Sequence, residues 1–295
     1  MHYVESPHRL PYETGSALLQ VSIGCSYNQC RFCSLCRKPG KDFRPAPRAE
    51  IEEDLDELAS YTLCPSRVYL YGGNPFGLPQ DTLSDVFELI REKLPGVRTI
   101  GGFARIADIA ARSDAELAEW ASFGVDDISI GAESGYDPAL AYMRKPQTAA
   151  DIARQCARLD AAGISYTLFY LAGMAGAGKC AEAARASAEL YRGINPKRIN
   201  IMTMTVFSDA ELAEDVAAGR FTPASEHEVL AELRDFIEGL EGCTSLIEAG
   251  HDTNMVKFDG VLPRDRQKMA AYLDSRIACM SERGMSLLRS RMRSL

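Results

Sequence analysis

Residues 165–173 read Ser-Tyr-Thr-Leu-Phe-Tyr-Leu-Ala-Gly, a run that is apolar on both faces near its middle and stops at a glycine. A strand of that kind has no solvent face. It must be covered on both sides, by helices or inside a barrel. The same unit recurs outward from it. Strands are expected over Leu18 to Ile23, Arg67 to Tyr71, Val97 to Phe103, Asp127 to Gly131, Ile164 to Leu171 and Arg198 to Val206. Helices are expected between them over Arg48 to Ser60, Leu83 to Leu94, Asp114 to Phe123, Pro138 to Met143, Thr148 to Ala162 and Cys180 to Tyr191. Pro95, Gly124 and Gly163 supply the stops that helix ends use.

Six strand-helix alternations with short connections imply a parallel sheet. A complete barrel would need eight such units, so the expected fold is α/β, a partial (β/α)6 TIM-like barrel. Beyond Val206 the pattern turns helical, over Ala210 to Ala218, Glu226 to Glu241 and Pro263 to Cys279. Residues 1–15 read as a lead-in, 16–206 as the partial barrel and 207–295 as a mainly helical C-terminal cap packed on it.

With 295 residues, 46% of them hydrophobic and 25% charged, the chain can bury a substantial core, which excludes a disordered or low-complexity protein. No apolar run approaches the roughly 20 residues of a membrane helix. The opening MHYVESPHRLPYETG lacks the apolar stretch of a signal peptide, so a cytoplasmic location is expected. The net charge of -8 repels a nucleic-acid backbone on average, and no nucleic-acid partner is expected. Arg31, Arg37, Lys38, Lys41, Arg44 and Arg48 form a local basic run, which reads as a solvated loop.

Nine cysteines are spread unevenly. Cys64, Cys156, Cys180, Cys243 and Cys279 are scattered, whereas Cys25, Cys30, Cys33 and Cys36 fall in one loop directly after the first strand. An odd count argues against a disulfide framework, and clustering argues for a metal. The loop sits at the carboxyl end of its strand, where parallel barrels place their chemistry. Three readings of it stand. Three soft thiolates can wrap an iron-sulfur cube and leave one iron open. All four cysteines could hold zinc, although zinc ligands usually come as two separate pairs. The spacing C-x4-C-x2-C also belongs to plant-type [2Fe-2S] proteins, with Cys64 as the distant fourth ligand.

Cys25, Cys30 and Cys33, with Phe32 before the last of them, resemble the cluster motif of radical SAM enzymes. The usual spacing there is C-x3-C-x2-C, so this loop is one residue longer. "VSIGCSYNQCRFC", "YGGNP", "GAESG" and "GVLPRD" resemble superfamily members related to the coproporphyrinogen-dehydrogenase branch, over about residues 15 to 270. The resemblance implies a [4Fe-4S] cluster on Cys25, Cys30 and Cys33, with S-adenosylmethionine (SAM) on the open iron. It further implies one-electron cleavage of the sulfonium, a 5'-deoxyadenosyl radical that abstracts hydrogen, and a low-potential reductant such as flavodoxin or ferredoxin. Oxygen sensitivity follows. Cys36 reads as a spare thiol.

The resemblance also implies a SAM site. Tyr71, Gly72, Gly73 and Asn74 follow the second strand, where the family's glycine pair lets backbone approach the methionine amino group and Asn74 replaces the usual Glu. Glu133 and Ser134 end the fourth strand, where a carboxylate would meet the ribose hydroxyls. Arg144 or Lys145 is implied as a partner of the SAM carboxylate, with solvated helix-end charges as the other reading. Leu171, Gly173 and Met174 fall where the family packs adenine. Arg105, after the third strand, and His251, in a His-Asp-Thr-Asn patch, are the candidates for catalysis; Arg105 also reads as an ordinary rim residue, and His251 as a loop histidine with no role. The chain lacks a second cysteine cluster, a cobalamin-binding domain and an RNA-binding appendage, which favours a small-molecule or short-peptide substrate.

Overall fold

The computed structural model describes residues 1–4, 7, 9–37, 39–61 and 65–292; Cys64 lies outside the described residues. Eight strands form one mostly parallel sheet: β1 (Ala17–Gln20), β2 (Arg67–Tyr71), β3 (Thr99–Ala104), β4 (Ile128–Glu133), β5 (Tyr166–Ala172), β6 (Arg198–Thr203), β7 (Leu246–Glu248) and β8 (Asp259–Val261). Sheet order follows chain order, and β8 pairs antiparallel with β7. The described helices are α1 (Arg48–Ala59), α2 (Gln80–Lys93), α3 (Ile106–Ala110), α4 (Asp114–Ser122), α5 (Asp137–Tyr142), α6 (Ala149–Ala162), α7 (Cys180–Arg192), α8 (Glu211–Ala217), α9 (Glu226–Gly239), α10 (Arg266–Cys279) and α11 (Glu282–Arg289). The fold is α/β, and the six expected strands are present. The sheet goes two strands further, because β7 and β8 are three residues each, too short to show an alternation in sequence.

Contacts divide the chain into two compact units, residues 1–28, 35–130 and 158–166, and residues 29–34, 131–157 and 167–295. In the first, Leu19 pairs with Leu70 and Val68 with Ile100, so the early strands lie in parallel register. An antiparallel ribbon of Ser22–Ile23 and Arg44–Pro45 carries the chain from β1 toward the cysteines. Helices α1 and α2 bury Ile51, Leu55, Leu83, Phe87 and Ile90 at helical spacing. Ser113 starts α4 with a capping box to Glu116. That helix aims Trp120 at Phe76, ring centroids 4.9 Å apart.

In the second unit, Tyr170 of β5 stacks on Phe236 of α9 at 4.1 Å, and Tyr191 of α7 meets Phe236 edge-on at 5.3 Å. Every position of β5 is buried, which is why its sequence has no polar face. Removing the Phe236 ring leaves a cavity between two buried tyrosines. Phe236→Ala is expected to cost about 3–5 kcal/mol in urea unfolding of the apo protein, and a loss below about 1 kcal/mol would refute this packing.

Candidate active site

The first unit builds the entrance to the cysteine loop by close backbone approach. Val21 donates its N–H to the Tyr71 carbonyl at 3.1 Å, and Gly73 donates to the Gly24 carbonyl at 3.1 Å. A Cβ on Gly73 would lie 2.3 Å from that same oxygen, and one on Gly72, whose φ is +147°, would lie 2.0 Å from Ser22 Oγ. Both positions therefore require glycine. Asn74 is 1% exposed. Its Oδ1 accepts from the Ser26 N–H at 2.8 Å, and its Nδ2 donates to Ser26 Oγ at 2.9 Å and Asp108 Oδ2 at 2.8 Å. Two of these three bonds fix Ser26, the residue after Cys25, and the third ties Asn74 to Asp108.

Arg105, directly after β3, joins the same network. One Nη donates to Ser26 Oγ at 2.8 Å and to Asp108 Oδ1 at 2.6 Å, and the guanidinium lies 5.5 Å from the Tyr27 ring centre. Its buried Nε–H finds no acceptor among the described residues. Asn28 adopts a left-handed φ of 47° and donates from Nδ2 to the Cys36 carbonyl at 2.9 Å, closing the loop on itself. Cys25 and Cys36 are half-buried.

The second unit holds Cys30 and Cys33, both half-buried, on a tight turn in which the Cys33 N–H meets the Cys30 carbonyl at 3.2 Å. Arg31 between them is the anchor. Its backbone N–H donates to Met143 and its carbonyl accepts from Leu212. Its guanidinium pairs with Asp215 and covers the Tyr142 ring at 4.8 Å. Asp215 also accepts from Arg220 at 2.7 Å, and these donors, Arg220 foremost, hold its carboxyl below the ordinary range.

Glu133, at the end of β4, takes a left-handed φ of 68°, rare outside glycine, and receives Lys145 Nζ at 3.2 Å. Lys145 is 6% exposed at its side chain, whereas Arg144 is 45% exposed and pairs outward with Glu211 at 2.9 Å. Burial disfavours the Lys145 ammonium, but Glu133, Cys30 and Cys33 outweigh it and hold the lysine above its ordinary pKa. Of the two basic neighbours, the structure brings Lys145 to the carboxylate and the thiols. Ser134 is buried, and its hydroxyl accepts from the Tyr136 N–H at 3.1 Å within its own turn.

Leu171 is buried near the end of β5, and after the strand Gly173 turns with φ +80° and Met174 is buried. The Gly173 N–H donates at 3.0 Å to Glu232 of α9, which also accepts from Tyr170 Oη at 2.6 Å. Glu232 was not legible as a site residue, since its place in sequence is an ordinary helix. Gly173, Thr203, Thr205, Phe207, Glu226 and Arg289 help to line a cavity of about 280 Å³. Arg289 seals one wall by pairing with Glu226 and donating to Thr205 Oγ1 and the Thr253 carbonyl, each at 2.8 Å. His251 is bonded through Nδ1 to Thr253 Oγ1 at 2.9 Å, and burial lowers its pKa, so it is neutral at pH 7.

Among the described residues, no group of three or more His, Cys, Asp or Glu stands close enough to hold a single metal ion. A four-iron cube makes no such demand, because each thiolate binds a different iron.

The sequence profile of the Radical SAM superfamily matches residues 19–178, more than half of the chain. This chain belongs to the radical SAM superfamily. It is an enzyme of that superfamily, whose members work with an iron-sulfur cluster and SAM. No curated protein sequence matches it. Among solved structures, it is similar to the radical SAM methyltransferase TsrM from Kitasatospora setae (15% identity, TM-score 0.56, 69% of this chain and 39% of that one). It is similar also to Methanocaldococcus infernus Elp3 (14%, TM-score 0.53, 88% and 63%) and to methylornithine synthase PylB (17%, TM-score 0.54, 92% and 85%). The TsrM structure carries cobalamin and a [4Fe-4S] cluster. This chain spans about two fifths of TsrM's length and under two thirds of Elp3's. At these identities the likeness shows the fold. Among the described residues no helix is long and apolar enough to cross a membrane.

Burial lifts the Glu232 carboxyl from 4.5 to about 7, with Cys180, Tyr170 and Gly173 holding it back. A carboxyl with a raised folded pKa binds its proton more tightly when folded. The stability it contributes is full below about 4.5 and is lost as pH rises through 7. Glu232→Gln lacks that loss, so its thermal midpoint relative to the native chain should rise between pH 5 and pH 8; a constant difference would contradict the assignment.

Proposed function

We propose that this chain cleaves SAM reductively at a [4Fe-4S] cluster and abstracts hydrogen from a small molecule or short peptide. The observation that carries the reading is the buried Lys145, paired with Glu133 and acting on Cys30 and Cys33, in a superfamily member whose loop offers three thiols. The donor set fits the cluster: soft sulfur ligands, with a buried ammonium that offsets thiolate charge. The chemistry that the bound cluster and SAM supply is one-electron cleavage of the sulfonium, giving methionine and a 5'-deoxyadenosyl radical that takes hydrogen from the substrate.

Each residue then has a task. Cys25, Cys30 and Cys33 bind three irons. Asn74 and Ser26 hold the backbone after Cys25, and Gly72 and Gly73 admit the close approach of the two loops. Arg105 offers its spare Nε–H to an acceptor on SAM or substrate. Glu133 accepts from ribose hydroxyls while Lys145 orients it from the other side. Gly173, with Leu171 and Met174, forms an apolar turn for adenine, and Tyr71 and Ser134 shape the neighbouring turns. Arg144 serves its surface pair with Glu211, and His251 is left outside the chemistry. The adjoining cavity is small for a ligand pocket, which favours a small substrate over a bulky polymer. A low-potential donor such as flavodoxin or ferredoxin supplies the electron.

The electron-carrier alternative requires Cys64, outside the described residues, and membership of an enzyme superfamily disfavours it. After anaerobic reconstitution, Cys25→Ala, Cys30→Ala and Cys33→Ala should each abolish the [4Fe-4S] spectrum and 5'-deoxyadenosine formation by chromatography. Cys36→Ala should retain both. Cleavage retained by any of the first three would sink the ligand assignment.

A further inference from the structure

The last helix closes part of the cavity beside Gly173. Arg289 at its end, with Ser290 and Met292 just beyond, lines that cavity together with Val229 of α9, whose Cγ2 would lie 3.0 Å from a Cβ on Gly173. What holds α11 in place is mainly polar. Glu282, at its start, accepts from the Glu226 and His227 N–H groups at 2.9 Å each, so its carboxylate satisfies two of the free donors at the N-terminus of α9. Arg289, at its end, meets Glu226 in two parallel bonds, Nε to Oε1 and Nη2 to Oε2, the second at 2.8 Å. By contrast, one side chain of α11 is buried, Met285, while Leu287 and Leu288 are each 54% exposed. A helix that buries one side chain gains little from the hydrophobic effect, so its two ionic ends carry the docking. The link back to α10 is Met280 and Ser281, both extended, with ψ of 136° and 134°. His227 Nε2 donates to the Met280 carbonyl at 2.8 Å and steadies that link.

Elements docked through few buried contacts open locally at far lower cost than the whole fold, and lids are drawn from them. Short non-helical links between elements are where such openings are absorbed. We infer that α11 is a hinged lid on this cavity, latched by Arg289 to Glu226 and by Glu282 to the first amides of α9, and that ligand enters and leaves when the latch releases. A swing about residues 280–281 carries Arg289, Ser290 and Met292 away together and removes that part of the wall. Latch, hinge and cavity all lie within the second compact unit. That the ligand is SAM rests on the function proposed above, in which Gly173 belongs to the adenine turn; the lid itself does not.

The test reads opening first without any ligand. Val229→Cys places a thiol on the cavity wall of the full chain, and its labelling by N-ethylmaleimide is followed by mass spectrometry of the peptide that carries it. Adding Glu226→Gln should speed labelling about tenfold or more, because the latch loses its charge pair. The milder Glu282→Gln should speed it by about three- to tenfold. Hydrogen exchange should accelerate in α11 and stay as in the native chain in β5. Labelling no faster in either variant, or faster labelling matched by faster exchange in β5, overturns the lid. The second arm uses radiolabelled SAM on the anaerobically reconstituted chain. Glu282→Gln should raise its association and dissociation rates together, about three- to tenfold, and so leave Kd nearly unchanged. A change in dissociation alone would make α11 an ordinary binding wall and overturn the gating. Absence of SAM binding by the native chain overturns the proposed function alone, because the opening is read separately by labelling.

Discussion

Gly73 and Gly24 meet backbone to backbone at 3.1 Å, and no side chain can stand between them. The placement of the first cysteine depends on this contact. It brings the turn after β2 onto the residue before Cys25, and Asn74 can then reach Ser26 on the far side. Each of these bonds uses a polar group that burial would otherwise leave unpaired, at a cost of roughly 1–3 kcal/mol. The network closes through Asp108 and Arg105 from the end of β3. Three successive strand ends in the first unit thus converge on one tripeptide, and the loop has little freedom left.

Electrostatics plays the corresponding part in the second unit. A buried lysine is tolerated where an anion pairs with it, and Glu133, with Cys30 and Cys33 nearby, holds the Lys145 ammonium in place. The left-handed backbone of Glu133 turns its carboxylate to that lysine, the kind of local strain that functional sites retain. Arg31, between two cysteines, is held by Asp215 and Tyr142 and so ties the cysteine turn to α5 and α8. Behind β5, Glu232 restrains the Gly173 amide from the core side. The residues expected to touch SAM are therefore backed by side chains that are not.

Much of this was legible in the sequence for a local reason. Strands buried on both faces must be apolar throughout, as Tyr166–Ala172 is, and helices must repeat their apolar residues every three to four positions. The cysteine spacing, the glycine pair and Glu133 at a strand's end are equally local, and they sufficed to suggest the chemistry. The strands β7 and β8 escaped because three residues carry no period. Asn74 as a brace for Ser26, Lys145 in preference to Arg144, and Glu232 behind Gly173 depended on which atoms meet across 48, 12 and 59 residues of chain. Spacing along a chain determines which face a side chain takes within its own element. Which groups then share a low-dielectric interior, and so must pair or be strained, is decided only when the elements pack.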